Sequence, residues 1–198
     1  NQNTAREVKN NFSFQSKIYE IDYKKNNIEI LSDEIKLINL NELSKKSKKL
    51  NLDVTFLVNK EYSGKIILKG HFDGDLNINA NTKILNTNKK FKTRNKFLLT
   101  GCVTIIDSYI EKLTFTSDNL KCEDSINVIR SEIKKVSFNV KNSYLDGIDF
   151  DGSNAGIENL SVSNSGNDCL DLSNGTYIIF SGKFDKCIDK GISVGEES

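Results

Sequence analysis

Asp124-Ser125-Ile126-Asn127-Val128, Asp146-Gly147-Ile148-Asp149-Phe150, Asp168-Cys169-Leu170-Asp171-Leu172 and Lys190-Gly191-Ile192-Ser193-Val194 begin at positions 124, 146, 168 and 190, each 22 residues after the last. In every one the third and fifth residues are apolar and the fourth is polar, the period-two pattern of a strand with one buried face. A second set keeps the same interval: Phe138 and Val140, then Leu160 and Val162, then Gly182 and Phe184. Ile157 and Ile179 follow it too, while Ile110, Leu113 and Phe115 precede Ile133, Val136 and Phe138 by 23, the drift that one inserted turn residue produces. Turns are predicted at Ser-Asn-Ala-Gly (153–156) and Asn-Ser-Gly-Asn (164–167), where Asn and Gly supply left-handed backbone.

Recurrence at a fixed period predicts a solenoid, because a single coil cannot bury its inward side chains and must stack on the next, about 4.8 Å away. The expected fold is all-β: a right-handed parallel β-helix of 22 residues per coil, spanning 54–198 and regular from about residue 101. Leucine-rich repeats, the rival at this length, want a Leu-x-x-Leu-x-Leu-x-x-Asn pattern that is missing here. Segments 54–58, 65–68, 76–78 and 97–106 read as earlier, less regular coils. Residues 1–53 read as an irregular N-terminal cap, with a strand pair between Ile18 and Ile30 and a short helix over 41–50 capped by Asn41. The last strand ends at Gly195 with Ile192 and Val194 half covered, so further coils or domains of the same protein are expected beyond it.

The 198 residues carry 28 basic and 27 acidic side chains, which leaves no basic stripe for nucleic acid. Uncharged apolar runs such as Phe56-Leu57-Val58 are only a few residues long, too short for membrane insertion. The four cysteines, Cys102, Cys122, Cys169 and Cys187, form no Cys-x-x-Cys pair, so structural zinc is not expected. Four cysteines permit three disulfide pairings that the sequence does not separate, and free thiols filling core or turn positions are the favoured alternative.

Two columns of polar residues carry the candidate chemistry. Stacking brings Asp124, Asp146 and Asp168, followed by Lys190, to one corner. Carboxylates about 5–6 Å apart repel by roughly 3 kcal/mol at an effective dielectric near 20, and a calcium ion, raised pKa values or turn donors would relieve this. The plain alternative is that Asp caps turn backbone. Asn127, Asp149, Asp171 and Ser193 form the second column, on the strand face, with Arg130 placed to neutralise one end. A pair of carboxylates about 5 Å apart also suits a retaining glycosidase. His71, in Gly70-His71-Phe72-Asp73-Gly74-Asp75, is the one histidine and reads as a solvated turn residue, with Asp73 and Asp75 as weak calcium candidates. Tyr19, Tyr23, Tyr109, Tyr144 and Tyr177 would make a sugar-stacking platform if they faced outward.

The runs Glu123–Ser131, Gly166–Ser173 and Asp189–Glu196, with Leu99-Thr100-Gly101 before them, resemble bacterial right-handed β-helix repeat proteins of the pectate-lyase-like superfamily. The likeness covers about half the chain and is closest to large surface or secreted members, some fused to a spore-coat-kinase-like domain. It implies an extracellular or cell-surface location and a polysaccharide partner. It leaves open a binding module, a lyase, hydrolase or epimerase, and a spacer, since fold does not choose among them.

Overall fold

The computed structural model describes residues 26–32, 34–59, 61–85, 92 and 99–195. They form a parallel β-solenoid of about seven turns with one short helix. The elements are β1 (Asn27–Leu31), β2 (Ile35–Asn39), α1 (Leu40–Lys46), β3 (Lys49–Val58), β4 (Lys65–Ile84), β5 (Gly101–Asp118), β6 (Asp124–Ile129), β7 (Glu132–Ser143), β8 (Asp146–Asp151), β9 (Asn154–Ser165), β10 (Leu170–Ser173), β11 (Thr176–Ile179), β12 (Gly182–Cys187) and β13 (Ile192–Val194). β4 and β5, 20 and 18 residues long, run through both faces of a coil.

One face stacks β2, the start of β4, the start of β5, then β6, β8, β10 and β13. The other stacks β1, β3, the later parts of β4 and β5, β7, β9 and then β11 with β12. Ile126, Ile148, Leu170 and Ile192 are register partners. The first three are 0% exposed and Ile192 is 41% exposed, so the ladder read from the 22-residue spacing does point inward. Val128, Phe150 and Leu172 form a second buried rung set beside it. Phe115, Phe138, Phe150 and Tyr177 meet edge to face in succession, with centroids 6.2, 5.9 and 5.3 Å apart, the geometry aromatic quadrupoles favour.

Two columns of left-handed residues turn the corners. Asp107, Arg130, Gly152 and Asn174 make one; Asn119, Asn142, Asn164 and Lys186 make the other. Asn fits such positions because its short side chain bonds locally. Here the corner amides bond one another, with Asn164 Nδ2 donating to Asn142 Oδ1 at 3.0 Å and Asn142 Nδ2 to Asp118 Oδ1 at 2.7 Å. The turn expected at 153–156 lies slightly earlier: the reversal is at Gly152, and Asn154 already begins β9.

Three expectations upstream and at the cysteines need correction. The helix starts at Leu40 and its N-cap is Asn39, whose side chain accepts from the Asn41 N–H. Asn41 instead turns its Oδ1 onto the His71 N–H at 2.8 Å. Within the stretch read as a cap, β1 and β2 already pair in parallel with β3 and β4; the strand-pair reading before residue 26, with Tyr19 and Tyr23, lies outside the described residues. The cysteines are not free thiols: Cys102 joins Cys122 and Cys169 joins Cys187, each pair with Cα atoms 5.4 Å apart.

Coil geometry explains the pairing. Positions 102, 125, 147 and 169 fall at the same place in successive coils, and Ser143, Ser165 and Cys187 are register partners across the corner. Where a disulfide is missing, Ser125 and Ser143 share a buried Oγ–Oγ hydrogen bond of 2.9 Å. Each disulfide thus clamps one coil shut over 20 or 18 residues, and a loop of this size restricts the unfolded chain by roughly 3 kcal/mol. Reduction of both should therefore shift the urea midpoint strongly downward; an unchanged midpoint in dithiothreitol would contradict the clamp.

Candidate functional site

The site grows from the outward alternation of the first face. Thr104, Asn127, Asp149, Asp171 and Ser193 are register partners on five consecutive strands. Asn127 is only 3% exposed, although its position is outward. Its amide Nδ2 donates to Asp149 Oδ2 at 2.8 Å and Thr100 Oγ1 at 3.0 Å, and lies 3.3 Å from Asp151 Oδ2 and 3.5 Å from Asp124 Oδ2. Two N–H groups therefore serve four acceptors. The amide oxygen Oδ1 has no hydrogen-bond partner among the described residues, nor has Thr104 Oγ1 beside it.

Crowding and burial set the charge state here. Burial, then the charges of Asp124, Asp151, Asp171 and Asp146, push the Asp149 carboxyl up to about 8. Burial pushes Asp124 up to about 7, against the hydrogen bonds it accepts from Thr100 and Asn127. Lys65, 1% exposed, is pushed down to about 8 by burial, while Asp124 and Glu123 favour its charged form. Its Nζ donates to the Thr100 carbonyl at 3.1 Å, so Thr100 links the buried ammonium to the carboxyl cluster.

The turn column is built differently. Asp146 Oδ1 accepts from the Asp168 N–H at 2.8 Å and from Asn167 Nδ2 at 2.8 Å, and Asp168 Oδ1 accepts from the Lys190 N–H at 2.8 Å. Each of these two carboxylates caps the backbone one coil on through its Oδ1. Asp124 instead lies buried against Thr100 and Asn127. Among the described residues no three His, Cys, Asp or Glu side chains are placed to hold a metal ion. Asp146 and Asp168 thus make the turn-capping contacts that were the plain alternative to a calcium site, while Asp124 does not.

Arg130 is also redirected. Its left-handed backbone turns the side chain onto the preceding coil, where Nε meets Asp107 Oδ1 at 2.9 Å; it does not neutralise the Asp149 column. Arg130 lines a separate cleft of about 610 Å³ over this corner. The cleft also holds His71, which lies in β4 rather than in a turn and stacks on Tyr109 at 4.5 Å and 11°. Asp73 pairs with His71 and stands 3.6 Å from Lys48, so it is engaged as an ion-pair partner. Among the described residues the tyrosines are engaged separately: Tyr109 stacks on His71, Tyr144 meets Lys121 and Tyr177 packs on Phe150.

Thr100, Asp151, Lys65 and the His71–Tyr109 pair were not singled out as a site by sequence reasoning. Asp151 had a signal, since it follows Asp149 by two on the same strand and so shares its face. What fold and site define together is a parallel β-solenoid with an acceptor-rich side face. Comparison with known proteins finds no matching family model, no similar curated protein and no matching solved structure.

Proposed function

We propose that the chain is a binding module whose side face holds an extended, hydroxyl-rich polymer, a polysaccharide, on an exported protein. The observation that carries this reading is the coil-spaced acceptor column, in which half-buried Asp149 and Asp171 stand in register with Asn127 and beside Asp151. Acceptors repeating every coil suit a ligand whose donors also repeat along a line. Two disulfides fit an oxidising compartment, outside the cytosol. The pectate-lyase-like resemblance points the same way and adds the surface or secreted setting.

The test is affinity electrophoresis of the oxidised chain through gels containing neutral or acidic polysaccharides. At least one should retard the parent, and Asp171→Ala should weaken that retardation about fivefold or more, the loss of one well-placed polar contact. Failure of every polysaccharide to retard the parent leaves the scaffold reading in its place.

A second reading, hydrolysis, is favoured by one feature: Asp149, pushed up to about 8, holds its proton near neutrality beside Asp171, the condition for a general acid next to a carboxylate. Release of reducing ends from a bound polysaccharide, abolished by Asp149→Asn, would establish it. Binding without any such release removes it.

A further inference from the structure

We propose that the cleft over the Asp107–Arg130–Gly152 corner is a second saccharide site, which seats a neutral pyranose ring against His71 and leads the chain along the solenoid axis toward Asn154. The proposal takes only its ligand class from the reading above; its geometry is independent of the Asp149 column.

The cleft follows the axis. His71, Tyr109, Glu132 and Asn154 are register partners on four successive coils and all line it, so its rows span about 14 Å at the usual strand spacing. The corner residues Asp107, Arg130 and Gly152 form the facing wall. The floor is a serine ladder: the Gly70 N–H bonds Ser108 Oγ at 3.1 Å, the Ser108 N–H bonds Ser131 Oγ at 3.1 Å, and the Ser131 N–H bonds Ser153 Oγ at 3.0 Å. Ser108 and Ser131 in turn donate to carbonyls two residues back, both at 2.8 Å. The floor is rigid, and its hydroxyls are engaged with backbone.

His71 is held as a platform rather than left free in water. Its side chain is 51% exposed, yet three contacts fix it. One ring face lies on Tyr109, Nε2 pairs with Asp73, and the backbone N–H bonds Asn41. Tyr109 is itself clamped, its hydroxyl donating to Glu111 at 2.7 Å with Lys134 Nζ 5.5 Å from the ring centre. A pre-fixed ring costs little entropy on binding and offers an apolar face with polar rims, the usual make-up of a small-molecule site. The lining mixes cationic Arg130 with Asp107, Glu132 and the amides of Asn41 and Asn154, and Asp107 is balanced by Lys69 at 3.0 Å and Arg130. That suits hydroxyls, each both donor and acceptor, better than a uniformly charged polymer.

Because His71 is the only histidine, its imidazole protons report the site without ambiguity. The experiment adds cellohexaose, xylohexaose, mannohexaose, chitohexaose or hexagalacturonate, each to 5 mM, to the oxidised chain and seeks intermolecular nuclear Overhauser contacts from sugar C–H protons to the His71 ring. At least one neutral hexasaccharide should give them. His71→Ala should weaken its binding tenfold or more, His71→Phe should largely restore it, and Asp171→Ala should leave the contacts in place. Absence of contacts with all five probes overturns the cleft, as does binding that His71→Ala leaves unchanged. Loss on Asp171→Ala with no effect of His71→Ala overturns the cleft while sparing the outer column. The reverse pattern is the one expected of the cleft, and it leaves the column to be decided by the effect of Asp171→Ala on gel retardation.

Discussion

Replacing Asp149 by Asn should make the chain more stable at pH 8 by up to about 5 kcal/mol while changing it by less than about 1 kcal/mol at pH 4.5, since every pH unit between the unfolded carboxyl near 4 and the folded one near 8 is worth about 1.4 kcal/mol. Burial first, and neighbouring carboxylates second, push the folded Asp149 up to about 8, and burial pushes Asp124 up to about 7. The unfolded chain ionises these groups near the ordinary aspartate value of about 4. Below that value both states are protonated and stability is fully present. As pH rises through the window to 7 or 8, only the unfolded chain gains by releasing the proton, so stability falls. Lys65, pushed down to about 8, acts in the opposite sense, adding stability as pH climbs from 8 toward the usual lysine range. The comparison is therefore made between pH 4.5 and 8. Asn at 149 keeps an oxygen for the Asn127 amide, which now donates to Asp149 at 2.8 Å, and cannot ionise. Urea denaturation at both pH values checks this. A parent equally stable at the two, or an Asn variant weaker at pH 8, would show that the cluster is not under charge strain.

Phe150→Ala should cost about 3–5 kcal/mol, the range for emptying a fully buried aromatic site. Phe150 is 0% exposed and meets both Phe138 and Tyr177 edge to face, so its loss opens the column joining three coils. Backbone ladders on either side resist collapse into the gap, which places the cost toward the upper end. Phe180→Ala, at a side chain 73% exposed, should stay within about 0.5 kcal/mol. Similar effects of the two in equilibrium unfolding would refute the assigned faces.

The strands from Asp124 onward were legible because inward positions must be apolar in every coil, which writes the period directly into Ile126, Ile148 and Leu170. The outer column was legible for the same reason, since alternation forces Asn127, Asp149 and Asp171 to the other side. The burial of Asn127 was not, because it depends on Thr100, Asp149 and Asp151 of the adjacent coils converging on its amide. The disulfides were hidden by separations of 20 and 18 residues, which mean contact only once the coil closes. Likewise Asp107 and Arg130 are 23 apart, one coil, yet their pairing depends on both adopting left-handed backbone. The serine ladder at 108, 131 and 153 did carry the repeat interval, and reading polar residues for period as well as apolar ones would have found the cleft floor.

The central claim is that a polysaccharide lies along the Asn127–Asp149–Asp171 column, and carboxyl footprinting tests it most directly. The oxidised chain is labelled with a carbodiimide and glycine ethyl ester, with and without a polysaccharide that retards it, and the modified aspartates are located by mass spectrometry. The account predicts that Asp149, Asp151 and Asp171 lose labelling together, while exposed Asp185 on the other face is labelled as before. Unchanged labelling of Asp149, Asp151 and Asp171 in the presence of bound polysaccharide would contradict it.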